Sequence, residues 1–278
     1  MKALTNAVIL GCGYVGRSLA PRWRQTMTVT ATTTTAARLA ELQTLADRAV
    51  VVKGNDDAAV RSLLHSQQVV LLSVGAPNST AYEETYLNTA KTLVAALKES
   101  PSVQQVIYTG SYAVYGDRGG EWVDETTPVM PLNRKAEVLA ETEQVLLSAV
   151  HNSLKVCVLR LGGIYGTGRE LVKIFGRAAG SVRPGTGEEA SNWIHIDDIV
   201  GAIAFAQQQN LNGIYNLVGT VPITTQELLD RIFTAYSLPL ATWDANQPSA
   251  RSYNARVSNQ KLRDAGYEFI YPEIQETL

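Results

Sequence analysis

The stretch that decides the fold is "NAVILGCGYVGRSLA", residues 6–20. Its first half is a continuous apolar run and its second half reads as the start of a helix. Gly11, Gly13 and Gly16 stand between them in the spacing G-x-G-x-x-G, with Tyr14 and Val15 inside the motif and Arg17 just past it. Alone the spacing is a weak signal. Between a strand and a helix it has the context a pyrophosphate-binding turn needs. Gly11 permits the tight turn, Gly13 lets the backbone approach an anion, and Gly16 lets the helix pack close to the sheet. The N–H groups at the helix start then face the phosphates.

Outward from this turn, strand-like and helix-like segments alternate. "TVTATT" is followed by "AARLAELQTLA", and "AVVVKG" by "DAAVRSLLHS". "QVVLLSVGA" is followed by "AYEETYLNTAKTLVAALKES", and "VQQVIYTGS" and "LKVCVLRLGG" complete the series. The strands are unbroken apolar runs, as a parallel sheet covered on both faces requires. The alternation predicts an α/β fold with a doubly wound parallel sheet. Residues 1–165 are expected to form its core, also receiving roughly 190–218. After about residue 165 the pattern loosens into Gly/Pro-bearing loops, "RPGTGEEASN" and "ANQPSARS". Residues 166–278 are therefore expected to form mostly a small C-terminal substrate lobe.

Composition limits the partners. The chain has 278 residues, 45% of them apolar, 18% charged, with a formal net charge of −2. No Lys/Arg block occurs, so nucleic acid and anionic membranes have no electrostatic footprint. No apolar run approaches the ~20 residues of a membrane span. The N-terminal apolar run ends in a glycine turn rather than a cleavage site, so it reads as a first strand and the chain as cytoplasmic. Cys12 and Cys157 lie in apolar surroundings and read as reduced, packed thiols. The expected partner is a small molecule, and the expected state a monomer or homodimer.

A dinucleotide-binding turn normally has an acid at the end of the second strand, which hydrogen-bonds the ribose 2′-hydroxyl of NAD. Here that position reads Thr32, Thr33, Thr34, Thr35. Without a carboxylate there is no repulsion against a 2′-phosphate. Hydroxyls can donate to it, and Arg38 and Arg17 can supply charge. This favours NADP. A neutral site also accommodates NAD, and the threonines also suit the start of the next helix.

Several later stretches, in order, resemble the extended short-chain dehydrogenase/reductases, also called the NAD-dependent epimerase/dehydratase family. "YTGSYAVYGD" resembles the strand that presents its catalytic Ser/Thr. "LRLGGIYGTGR" resembles its R-x-x-x-x-Y-G-x-G element, and "WIHIDDIVGAI" its H-V-D-D segment. "GIYNLVG", "ITTQELLDRI" and "VSNQKLRDAGYEFIY" resemble the sequel. The resemblance implies a Rossmann fold of about seven strands, a small substrate lobe and a nicotinamide cofactor at the glycine turn. It places Ser111 at the catalytic Ser/Thr, four before Tyr115, and Asn88 in the helix behind the cofactor. Ser73, Val74 and Gly75 fall where the backbone passes the adenosine ribose. His195, Asp197 and Asp198 fall in a segment that ties strand to helix, and metal-ligand spacing is absent.

One element departs from the family. Its Tyr-x-x-x-Lys pair moves the proton while the nicotinamide moves the hydride. This chain reads "PLNRKAEVLAETE" there, residues 131–143, with Lys135 at the tyrosine and Leu139 at the lysine. It thus resembles an atypical subgroup that lacks the pair. Two readings follow. One is an oxidoreductase whose proton donor is Lys135, desolvated beside the cofactor, or a tyrosine such as Tyr112, Tyr115 or Tyr165. The other is an NADP(H)-binding sensor without turnover. Arg169, Lys173, Arg177 and Arg183 could meet a substrate phosphate or carboxylate, or simply form a solvated face.

Overall fold

The computed structural model describes residues 5–249 and 253–276. The chain opens with β1 (Thr5–Leu10), α1 (Tyr14–Trp23), β2 (Met27–Thr33), α2 (Leu39–Leu45) and β3 (Arg48–Val51). Then come α3 (Asp57–Leu64), β4 (Val69–Leu72), α4 (Thr89–Leu97), β5 (Gln105–Ser111), β6 (Trp122–Val123), α5 (Arg134–Leu147) and β7 (Lys155–Leu161). β8 (Gly163–Tyr165), α6 (Leu171–Phe175), β9 (Val182–Pro184), β10 (Ala190–Ser191), β11 (Trp193–His195) and α7 (Ile196–Gln208) follow. The last elements are β12 (Gly213–Leu217), β13 (Ile223–Thr224), α8 (Thr225–Ala235), β14 (Thr242–Asp244), β15 (Arg256–Val257) and α9 (Gln260–Asp264). The loop "ANQPSARS" lies partly outside the described residues. No helix among the described residues is long and apolar enough to cross a membrane.

Seven strands form the central sheet in the order β12-β7-β5-β4-β1-β2-β3. β1 pairs in parallel with β2 on one side and β4 on the other. The chain thus reverses its winding between β1 and β4, and the carboxyl ends of these two strands flank a switch point, where doubly wound sheets bind ligands. Ala7–Leu10 of β1 and the whole of β4 are buried apolar runs, as a sheet covered on both faces requires. Local chemistry sets the helix starts. The Asp56 side chain accepts from the Ala59 N–H at 3.0 Å to begin α3, and Asn133 accepts from Ala136 at 3.1 Å to begin α5. Thr224 and Glu227 form a reciprocal capping box at α8.

Two helices differ from their sequence reading at their first turns. "AAR" is a separate 3-10 turn, Ala36–Arg38, ahead of α2. The helix expected from Ala81 opens with a π turn, Glu83–Asn88, before α4.

The chain divides into two compact units. The first comprises Met1–Gly110, Asn133–Leu159 and Val200–Ile214. Its core joins Val8, Leu10, Val70 and Leu72 of the strands to Leu64, Leu93 and Leu146 of the helices. The second comprises Ser111–Leu132, Arg160–Ile199 and Tyr215–Leu278. Its core is built on α8 through Leu228, Leu229, Ile232 and Phe233. Within the second unit the fully buried Asp198 carboxylate accepts from the Tyr267 hydroxyl at 3.1 Å, the Ile270 N–H at 2.7 Å and the Tyr271 N–H at 2.9 Å. A buried carboxylate is tolerated because donors converge on it.

Candidate cofactor groove and catalytic-position residues

The three glycines perform three different jobs. Gly11 has φ +90°, and a Cβ built on it would lie 2.7 Å from the Ser73 carbonyl oxygen. A side chain is therefore excluded by both conformation and space. At Gly16 a Cβ would sit 2.9 Å from Ile9 Cγ2 and 3.1 Å from Cys12 Sγ, so its absence sets how closely α1 approaches β1. At Gly13 a Cβ would meet nothing within 4 Å, so the space beside this position is open. Tyr14 is half-buried at the helix start. Val15 is buried, so only its backbone is available to a ligand.

Gly11, Cys12 and Gly13 open onto a groove of about 350 Å³ at the switch point. Its walls include Gly11–Gly13, Thr32–Thr35, Arg38 and Ser73–Gly75. The threonine run divides its labour. Thr32 is 1% exposed, and its Oγ1 accepts from the Gly11 N–H at 2.9 Å, bracing the turn. Thr33 accepts from the Thr35 N–H at 3.2 Å. Thr34 and Thr35 are exposed. Arg38 is fixed against the turn by donating from Nη2 to the Cys12 carbonyl at 2.9 Å. Arg17 does not line the groove, and its Nη1 donates to Glu41 Oε1 at 2.6 Å. Burial pushes the Cys12 thiol up to about 11, against lowering by the nearby Arg38 and Arg17. It is a protonated, packed group at neutral pH.

The far wall holds residues that the sequence reading passed over: Lys53, Asn55, Glu84, Thr85 and Thr89. Asn55 Nδ2 donates to Glu84 Oε1 at 3.1 Å. Their signal was positional: Lys53 to Asn55 follow the carboxyl end of β3, and the other three lie on the helical run after β4. Asn88, on the π turn, is half-buried and is not part of this wall.

The catalytic-position residues look different. Ser111 is half-buried at the end of β5, and its Oγ accepts from the Ala113 N–H at 3.2 Å, capping a 3-10 turn over Tyr112–Tyr115. Tyr115 is 0% exposed, and its hydroxyl donates to Asn216 Oδ1 at 2.8 Å. The Arg160 guanidinium lies 4.7 Å from its ring centre. Burial raises its pKa, with Arg160 lowering it. Tyr115, one of the expected proton donors, has its side chain in a buried hub that ties three family-like motifs together. Tyr112 and Tyr165 are buried as well. The Tyr165 hydroxyl accepts from the Gln275 N–H at 3.1 Å, and burial raises it to about 12.

Lys135 is exposed at the start of α5, with Nζ 5.6 Å from the centre of the Tyr82 ring. The desolvation that the sequence argument asked of it is absent here. Leu139 is buried at 6% exposure, an apolar contact where the family's lysine would stand. His195 accepts from the Asp197 N–H at 3.2 Å and packs against the rings of Tyr165 and Tyr271. No group of three or more His, Cys, Asp or Glu among the described residues could hold a metal. In the second unit Lys173 is paired with Glu170 at 2.8 Å, and the Arg183 guanidinium lies 5.8 Å from the Trp243 ring.

Known proteins resemble this chain in sequence and in fold. Over 230 residues the chain is 32% identical to protein YeeZ of Escherichia coli, covering 77% of both. It is 26% identical over 210 residues to the epimerase family protein Mb2239 of Mycobacterium bovis, covering 70% of this chain and 69% of that one. The fold superposes on a functionally unknown conserved protein of Silicibacter pomeroyi with a TM-score of 0.78 and 24% identity, over 97% of this chain and 95% of that one. It also superposes on dTDP-glucose 4,6-dehydratase of Bacillus anthracis, solved in complex with NAD, with a TM-score of 0.80 and 18% identity, over 97% and 92% of the two chains. A sequence profile matches residues 7–218, and by that match this chain belongs to the NAD dependent epimerase/dehydratase family.

Proposed function

We propose that this protein is an NADP(H)-binding oxidoreductase of the epimerase/dehydratase type that acts on a small molecule without the usual Tyr-x-x-x-Lys pair. The observation that carries the reading is the open space at Gly13, facing a groove whose wall includes the anchored Arg38. A pyrophosphate needs that space, and the first turn of α1 supplies N–H groups to it. The bound cofactor would supply the hydride. Gly11, Gly13 and the start of α1 would hold its phosphates, and Ser73–Gly75 would border its ribose. Thr34, Arg38 and Arg17 favour the 2′-phosphate form, because no acid stands at the end of β2 to repel it. Ser111 retains a hydroxyl proton to donate while its oxygen caps the turn, which suits it to polarise a substrate carbonyl.

Titration calorimetry with NADP and NAD tests the cofactor assignment. NADP is expected to bind more tightly, and replacing Arg38 and Thr34 by alanine together should remove most of that margin. Tighter binding of NAD would overturn it.

One observation favours the second reading, a cofactor-binding sensor without turnover: the tyrosines are buried and engaged, and position 139 is a leucine. Hydride transfer from C4-deuterated NADPH to a panel of aldehydes and ketones separates the two. Deuterium in any product supports the oxidoreductase. Nucleotide binding with no transfer supports the sensor.

A further inference from the structure

We propose that Glu41 sets the preference between 2′-phosphorylated and unphosphorylated adenine nucleotides, as an internal counter-ion that a 2′-phosphate displaces from Arg17 and Arg38. The inference rests on the groove being the nucleotide site proposed above. Glu41 lies on α2, away from the groove lining, and reaches it only through the arginines. Arg17 Nη1 meets its Oε1 at 2.6 Å, and Arg38 Nε lies 3.5 Å from its Oε2. The Arg17 hydrogen bond holds the Glu41 carboxyl below its ordinary value, so the group is ionised at neutral pH.

The arrangement has an electrostatic consequence. Two arginines against one glutamate leave a single net positive charge beside the groove. A 2′-phosphate carries about 1.5 to 2 negative charges near pH 7 and competes directly for both guanidiniums. The resident pair is open to water, with Arg17 and Glu41 side chains 43% and 42% exposed. Such pairs are screened and weak, so a dianion with matching geometry can replace the carboxylate. A 2′-hydroxyl has no charge with which to compete and leaves the pair intact. Arg38 need not be reorganised for this exchange, because its Nη2 already holds the Cys12 carbonyl. Glu41 therefore opposes the phosphorylated nucleotide selectively, and the groove's affinity for it is set below what two free arginines would give.

The test compares the wild-type protein with Glu41→Gln and Glu41→Ala, both at an exposed position. Each is titrated with NADP, NAD, 2′,5′-ADP and 5′-AMP. Removing the charge is expected to tighten NADP and 2′,5′-ADP by about 3–10-fold while changing NAD and 5′-AMP less than about 2-fold. Adding Arg17→Met to Glu41→Gln should cancel much of the gain, as a coupled pair requires. Weaker binding of NADP would mean that the glutamate merely holds the arginines in place, and equal changes for phosphorylated and unphosphorylated ligands would remove the displacement step. Either overturns this proposal alone. A wild-type protein that binds none of the four nucleotides overturns the groove assignment itself, and this inference with it.

Discussion

The glycine turn and the Ser111–Tyr115 turn both follow a strand of the same sheet, yet they treat space in opposite ways. The first keeps room at Gly13, where an added Cβ would meet nothing within 4 Å. The second is filled: Tyr112, Val114 and Tyr115 are all buried, and the Ser111 oxygen is engaged by the backbone. At Gly116, which ends that turn with φ +70°, an added Cβ would run into the Met130 carbonyl. The difference teaches that the chain keeps open space at the end of one strand and fills it at the end of another. Space for a phosphate is costly to keep unless something occupies it, because a packed interior gains dispersion contacts at every filled position. Tyr115 lies within that filled region, where its hydroxyl meets Asn216.

The sharpest way to break this comparison lies within the glycine turn. Gly11→Ala should cost about 2–5 kcal/mol of stability, from strain at positive φ and a clash with the Ser73 carbonyl. Gly13→Val should cost no more than about 1 kcal/mol, the loss of a glycine N-cap. It should weaken nucleotide binding by about 100-fold or more. Thermal melts and calorimetry on both variants check the contrast, which fails if Gly13→Val binds like the wild type.

The next effect is smaller and depends on pH. Cys12 is pushed up to about 11 by burial, from an unfolded value of 9.0. The folded state therefore prefers the thiol. Its contribution is full below about pH 9 and is lost as pH rises through 11, amounting to roughly 2–3 kcal/mol. Urea melts of the wild type and Cys12→Ala between pH 8 and 11 should converge as pH rises. Parallel curves would contradict the burial argument.

Tyr115→Phe tests the filled region. It leaves the fully buried Asn216 Oδ1 without this donor and should cost about 1–2 kcal/mol. Nucleotide affinity and any pH–rate profile should stay as they were. A variant of normal stability that has lost turnover would return Tyr115 to the chemistry.

Lys135→Met is the smallest change, within about 0.5 kcal/mol in stability and without effect on nucleotide affinity, since the lysine is exposed. A moved pH–rate profile in that variant would instead show that Lys135 is drawn from solvent during turnover.

How far these sites were legible follows from how local each signal is. The glycine turn, the apolar strands and the caps at Asp56 and Asn133 depend on residues a few positions apart, and the sequence states them directly. The absence of an acid at Thr32–Thr35 was legible too. The acid that matters, Glu41, comes from α2, three residues beyond Arg38. A search confined to the strand end could not find it. The packing of Tyr115 is not a local signal, because its partner Asn216 lies 101 residues away. Nothing near Val114–Gly116 says whether the hydroxyl faces a substrate or an amide. The far wall of the groove was missed because Lys53, Asn55 and Glu84 come from separate connections that only the sheet order brings together.

The Asp198 clasp has a consequence for the timing of synthesis. Its donor Ile270 follows it by 72 residues. At about 5–20 residues per second, a ribosome needs roughly 4–14 s to deliver that donor once Asp198 has been made. Within this interval the Asp198 carboxylate cannot yet meet the donors it has in the folded structure. The glycine turn has no such wait, since Thr32 follows Gly11 by only 21 residues. The Gly11–Thr32 hydrogen bond thus becomes possible seconds before the Asp198 clasp does.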